Sequence, residues 1–243
     1  MIQEYIQNTF QVSYTLSNIS KLMEKLDLKW LRTKTIPGKS PSLEDQVQFV
    51  LRYHQVKEFA QNDQGIIQLF GDGMHLHHQV IPSFCWGDPH DPPVINTNSN
   101  RKRLNILGAY SLQNQQLIHL TSEENCEAQR IVLFFDKLIQ AYPDKHTIVL
   151  YLDNAPYFYA PVVRDWLEQH PQLIIDSLPT YSPNLNLIER LWRLVKKKLV
   201  RNRYYEKYST FRAQVFQLLN HIGLYEKELR SLITENFQII WQY

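Results

Sequence analysis

An α/β domain built on a mixed sheet flanked by helices is the fold class this sequence predicts, and three observations carry it. Apolar runs of strand length recur as IIQLF (66–70), TIVLYL (147–152) and LIIDSL (173–178). Two further runs, LNILGAYSL and QLIHLTS, are separated only by Gln113, Asn114 and Gln115, as paired strands are. Segments with helical apolar spacing then alternate with the later strands, a β-α-β-α order that adds parallel pairing to the antiparallel start.

Residues 14–31, YTLSNISKLMEKLDLKWL, begin with Thr15 at a capping position and set Leu16, Ile19, Leu22, Met23 and Leu26 on one helical stripe. RTKTIPGKSPSLED, with Pro37, Gly38 and Pro41, reads as a linker and is the best boundary candidate in the chain. A second helix is expected from Glu44 to Asn62, with Val47, Val50, Leu51 and Phe59 supplying much of its apolar side. IIQLF should be a buried strand that stops at a turn, Gly71-Asp72-Gly73. Residues 127–141 place Ile131, Phe134, Phe135 and Leu138 at helical spacing, and TIVLYLD is again a buried strand, ending at Asp153. A helix from Ala160 to Gln169, the strand LIIDSL and a helix opening near Asn186 complete the alternation.

With 44% hydrophobic residues, 12% aromatics and seven glycines in 243 residues, the composition is that of a globular chain rather than a disordered or repetitive one. Cys85 and Cys126 are too few for a disulfide framework, MIQEYIQNTF lacks the regions of a signal peptide, and no apolar run reaches membrane-spanning length. A soluble, cytoplasmic protein is expected. The net charge is +2, but residues 186–212 hold nine Lys/Arg against Glu189 and Glu206. Arg193, Lys196, Lys197 and Lys198 in this block, with Arg101, Lys102 and Arg103 ahead of LNILGAYSL, form either a polyanion surface or a solvated face.

Two carboxylates stand at strand ends, Asp72 after IIQLFG and Asp153 after TIVLYL, and carboxyl ends of strands in open α/β sheets form ligand crevices. Each alone also suits a turn or cap. Glu189 opens the basic helix. With Asn186 as N-cap it would complete a capping box, and Arg193 four residues on would pair with it. Taken together the three acids have a different use, since converging carboxylates can hold two divalent ions for phosphodiester chemistry.

VLYLDNAPYFYAPVVRDWL and LPTYSPNLNLIERLWRLVKKKL, with 35 residues between Asp153 and Glu189, resemble the DDE-superfamily transposases of the bacterial insertion-sequence branch related to mariner elements. RLNILGAYSL is similar to the family's strand between its first two acids. The resemblance covers residues 65 to 205 and implies an RNase H-like fold in which Asp72, Asp153 and Glu189 bind two Mg²⁺ or Mn²⁺ ions, with Asn154 behind Asp153. It implies cleavage of double-stranded DNA at transposon ends and attack of the released 3′-OH on target DNA, in the nucleoid and in a homodimer. Two positions depart from the family pattern: Gly73 follows the first acid where Glu is common, and Phe158 stands where many relatives have His.

The implied domains are a partial helix-turn-helix or winged-helix remnant at 1–36, a linker and lead-in helix at 37–64, and the catalytic domain at 65–243. A single amphipathic helix ahead of the linker makes a separate upstream DNA-binding polypeptide an expected partner. Two other readings compete. One is an inactive or regulatory DNA-binding remnant of a transposase. The other is a metallohydrolase using Asp72, His75 and His77 from GDGMHLHHQV.

Overall fold

The computed structural model describes residues 2–29, 41–88, 90–99, 102–124 and 127–240. Most of the expected linker, together with Arg101 and Cys126, lies outside them. The chain divides into two compact units, residues 1–38 and 39–243.

The first unit contains helices α1 (Ile2–Phe10), which the sequence pattern does not announce, and α2 (Leu16–Lys25). The Thr15 hydroxyl accepts the Asn18 N–H at 3.2 Å and starts α2 as expected, and the helix closes at Leu26, where the apolar stripe ends. Of the expected stripe only Ile19 is buried, while Leu16 and Leu26 remain exposed. Two short helices offer too little apolar surface to enclose them.

The second unit opens with α3 (Leu43–Asn62), whose Ser42 cap accepts the Asp45 N–H at 3.0 Å. Of the expected apolar side only Val50 packs against the core. Gln46, Phe49, Tyr53 and Ala60 are buried, whereas Val47, Leu51 and Phe59 are exposed. At 100° per residue the four buried positions share one face, and Val47 and Leu51 fall outside it. Phe49 and Tyr53 win that face because their rings fill the space over Tyr151 and Phe70, with centroids 5.5–5.6 Å apart. This helix, expected as a linker-borne lead-in, contributes Phe49 and Tyr53 to the core of the second unit.

Five strands form one sheet in the order β3-β2-β1-β4-β5: β1 (Ile66–His77), β2 (Arg103–Tyr110), β3 (Leu117–Ser122), β4 (Thr147–Leu152) and β5 (Leu173–Ser177). β1 pairs antiparallel with β2 and parallel with β4, so the sheet is mixed as expected. Helices α4 (Ala128–Ala141) and α5 (Pro161–Glu168) bury Ile131, Phe134, Phe135, Leu138 and Val163 against one face. On the opposite face lie α3, α6 (Ile188–Leu199), α7 (Tyr208–Asn220) and α8 (Glu226–Leu232), around Phe70, Tyr151, Leu191, Trp192 and Phe211.

One difference moves a carboxylate. The expected turn at Gly71-Asp72-Gly73 is strand interior, because β1 continues to His77 against β2 after its last pair with β4, Phe70↔Tyr151. Neither glycine has a positive φ. Gly71 instead makes room, since a Cβ there would lie 2.5 Å from Leu152 Cδ2.

Candidate active site

Side chains alternate along strands, and this alternation decides which acids meet. Phe70, Met74 and Leu76 of β1 belong to the core beneath α6, so Asp72 points to that side. In β4 Tyr151 belongs to the same core while Leu152 belongs to the other, and Asp153, the next residue, returns to the α6 side. Asp72 and Asp153 thus project from adjacent parallel strands where their pairing ends. Glu189 joins them from the first turn of α6, and all three line a single cavity of about 290 Å³ with Asn154, Tyr181 and Asn186.

The capping box does not form. Position 187, a leucine, starts α6 without a side-chain cap. Asn186 is buried and sends its amide Nδ2–H to the Gly71 carbonyl at 3.0 Å, tying the start of α6 to the strand that carries Asp72. Its Oδ1 is buried with no hydrogen-bond partner among the described residues. Nor does Glu189 form the expected ion pair with Arg193 among the described residues; Lys196 and Arg193 act on it only at longer range.

Burial, then the charges of Glu189 and Asp153, pushes the Asp72 carboxyl up to about 7, against the opposing pull of the Gly73 N–H and the Trp192 indole. Burial also raises Asp153, partly offset by the Ala155 N–H on its Oδ1 at 3.3 Å. Glu189 is raised by burial and by Asp153, with Lys196 and Arg193 pulling it back. Like charges in a partly dry cavity resist ionising together, which is the condition a cation relieves.

Asn154 has a different attachment from the one expected. Its Nδ2 donates to the Leu178 carbonyl at 3.0 Å and to Thr180 Oγ1 at 3.3 Å, while its Oδ1 accepts the Tyr159 hydroxyl at 2.8 Å. It orders the loop after β5 rather than touching the Asp153 carboxylate. Trp192 was missed by sequence reasoning: its Nε1–H donates to Asp72 Oδ2 at 3.0 Å. Only its place three residues after Glu189 pointed to it.

The basic residues do not form one surface. Arg193 and Lys197 are exposed one turn apart on α6, and Lys196 beside them is half-buried. Lys198 lies about 140° around the helix from Arg193, pairs with Glu228 at 2.7 Å and covers the Tyr225 ring. Arg103 faces the other side of the sheet, in a second cavity with His75, Asn105 and Tyr157.

The metallohydrolase reading fails on the same alternation. His75 and His77 point away from Asp72, and His75 Nδ1 lies 2.6 Å from Asn105 Oδ1. Among the described residues no three His, Cys, Asp or Glu side chains stand close enough together to hold a metal ion directly. That spacing applies to the three carboxylates too. They share a cavity without being drawn into a closed cage.

A central mixed sheet with helices on both faces and two acids on neighbouring strands beneath a third defines a nuclease-type RNase H-like fold. Comparison with known proteins agrees. The sequence model described as "DDE superfamily endonuclease" matches residues 68–212, and the chain belongs to that family. A 66-residue stretch is 32% identical to the insertion element IS630 uncharacterized 39 kDa protein of Shigella sonnei, covering 27% of this chain and 19% of that protein. The match thus spans about a fifth of that relative's length. Among solved structures, the Mos1 strand transfer complex superposes with a TM-score of 0.66 at 14% identity, covering 99% of this chain and 75% of that one. The mariner Mos1 paired end complex with Mg gives 0.65 at 14% identity, covering 98% and 75%.

Proposed function

We propose that this chain is the catalytic part of a transposase that cuts DNA at the ends of a mobile element and joins the freed end to target DNA. The observation that carries this reading is the convergence of Asp72, Asp153 and Glu189 on one cavity from two adjacent strands and a helix. The mariner Mos1 relatives, captured as a strand transfer complex and as a paired end complex with Mg, support the same chemistry here.

The cavity fits divalent ions. Its acids are hard oxygen donors raised by burial and by one another, and the unpartnered Asn186 Oδ1 adds a further oxygen. Mg²⁺ takes one or two carboxylates and fills its other positions with water and substrate phosphate, so acids too widely set for a closed cage suit it. Asp72, Asp153 and Glu189 would hold the ions, two Mg²⁺ or Mn²⁺, which when bound supply activation of the attacking oxygen and stabilisation of the leaving one.

The chain's own residues prepare that chemistry. Trp192 holds one oxygen of Asp72, the Ala155 N–H orients Asp153, and Lys196 and Arg193 bias Glu189 toward its charged form. Arg193 and Lys197, with Lys196 beside them, offer phosphate contacts along the exposed side of α6. Double-stranded DNA is the substrate, in the nucleoid. In this reading a DNA-binding polypeptide contributes to end recognition and a homodimer brings two ends together.

A supercoiled plasmid carrying the DNA that flanks this reading frame tests the proposal. With Mg²⁺ or Mn²⁺ the chain should nick it, and Glu189→Gln should leave folding intact and abolish nicking. Equal nicking by Glu189→Gln would refute it.

A further inference from the structure

We infer that Tyr181 is a stacking platform for an unpaired nucleobase beside the bond that the carboxylates act on. The inference rests on the reading of the site as a DNA-cutting centre and names a contact within it.

Tyr181 has φ 59°, the left-handed region that a side chain with a Cβ adopts at a cost. The loop on either side enforces that conformation. Asn154 holds the Leu178 carbonyl and Thr180, the Ser182 hydroxyl closes back onto the Pro179 carbonyl, and the Leu185 N–H reaches the Ser182 carbonyl at 3.0 Å. Glycine would meet this demand without strain. A tyrosine meets it at that cost while Tyr181 stays 56% exposed, with no side-chain hydrogen bond or ring contact among the described residues.

The ring's position supplies the reason to keep it. Tyr181 lines the carboxylate cavity and also an adjoining groove of about 500 Å³ that runs toward α3, and the two spaces share Asn154, Leu178, Pro179 and Thr180 as a common wall. A strand lying across the acids therefore passes the ring. The groove's charge identifies what docks there. Arg52 is paired with Asp176 at 3.2 Å, and Asp45 keeps its negative charge while accepting the Ser42 hydroxyl, so among the described residues lining the groove no cation is left unpaired. A wall without a free cation but with a free π face suits a base rather than a phosphate. In a duplex, base faces are covered by their neighbours, so the base taken here is frayed or displaced.

The test uses the full chain and a short single strand carrying one 2-aminopurine, whose fluorescence falls on stacking against an aromatic ring. Wild type and Tyr181→Phe should quench the probe. Tyr181→Ala and Tyr181→Gly should lose the quenching and bind about tenfold more weakly, within the range for one stacked base. Tyr181→Gly should also keep or raise the thermal midpoint, which separates loss of the ring from damage to the loop. Binding and quenching that survive in Tyr181→Gly would overturn the inference. A wild-type chain that neither binds nor nicks DNA would instead overturn the transposase reading, and a nicking wild type matched in full by Tyr181→Ala would remove only the stacking role.

Discussion

The indole of Trp192 reaches Asp72 Oδ2 across Gly108, the residue paired with Asp72 in the neighbouring strand. A Cβ at Gly108 would lie 2.5 Å from the ring's Cη2. An absent side chain on β2 thus lets a helix residue orient a strand carboxylate. Trp192→Phe keeps the ring and removes the donor, and should lower the nicking rate about 10–100-fold, the usual effect of losing a partner behind a ligand. Gly108→Ala displaces the indole and should cost a similar factor. Measured rates for the two changes combined should fall well short of the product of the single effects, because both remove one interaction. Full additivity would separate Gly108 from the Trp192 contact.

The raised carboxyl of Asp72 makes metal-free stability depend on pH. Its folded-state value of about 7 lies above the ordinary 3.8, so between these values the native state binds the proton more tightly than the unfolded chain. The stability this group contributes is present below the unfolded value and is lost as pH rises through the folded one. In chelator, Asp72→Asn should therefore raise the thermal midpoint relative to wild type more at pH 8 than at pH 5. Mg²⁺ should stabilise wild type more at pH 8 than at pH 6, where it must displace a proton. Equal shifts at both pH values would mean that Asp72 titrates as an ordinary carboxyl.

The basic helix divides into two roles. Lys198, tied to Glu228 and the Tyr225 ring, contributes to folding. Lys198→Ala should cost about 0.5–1 kcal/mol in denaturant unfolding and leave DNA affinity nearly unchanged. Arg193→Glu with Lys197→Glu should weaken binding to all duplex sequences alike. It should also lower the slope of log affinity against log salt by about 0.9 per lost phosphate contact. An unchanged slope would make these two residues a solvated face.

What could be read in advance follows from which forces are local. The strands IIQLF, TIVLYL and LIIDSL and the helix with Phe134 and Phe135 announce themselves because burial on a sheet imposes a period on neighbouring residues. Gly71 misled because a glycine that admits another side chain looks the same in sequence as one that turns the chain. The buried side of α3 was hidden because Gln46 occupies it, its amide serving Ile240, 194 residues away. Asn186 was legible as a cap and serves instead as a tie to Gly71, a partner that exists only once the sheet is built. The acids could be picked out singly, but that they face one side depends on strand parity and register, which β1 reveals only by running on past Asp72.

Residues 234–240 have no periodicity, yet they bind the helix that bears Glu189. Arg190, buried next to that acid, donates to the Thr234 and Asn236 carbonyls at 2.6 Å each, and Asn184 donates to the Gln238 carbonyl at 2.6 Å. Phe237 packs its ring 5.1 Å from Tyr53, while Gln46 exchanges hydrogen bonds of 3.0 Å with both the N–H and the carbonyl of Ile240. The segment thus connects α3 to the start of α6 across the core. Arg190→Ala removes charged donors and leaves two carbonyls without them, which should destabilise the protein by about 2–4 kcal/mol. For a unit of this size that corresponds to a fall in thermal midpoint on the order of 5–15 °C. Arg190→Lys keeps the charge but cannot bridge both carbonyls, so it should recover only part of the loss. Hydrogen exchange should rise first in the opening turn of α6, and nicking should fall in step because Glu189 stands in that turn. If Arg190→Ala unfolds at the wild-type temperature, the segment lies on the surface of the core without holding it.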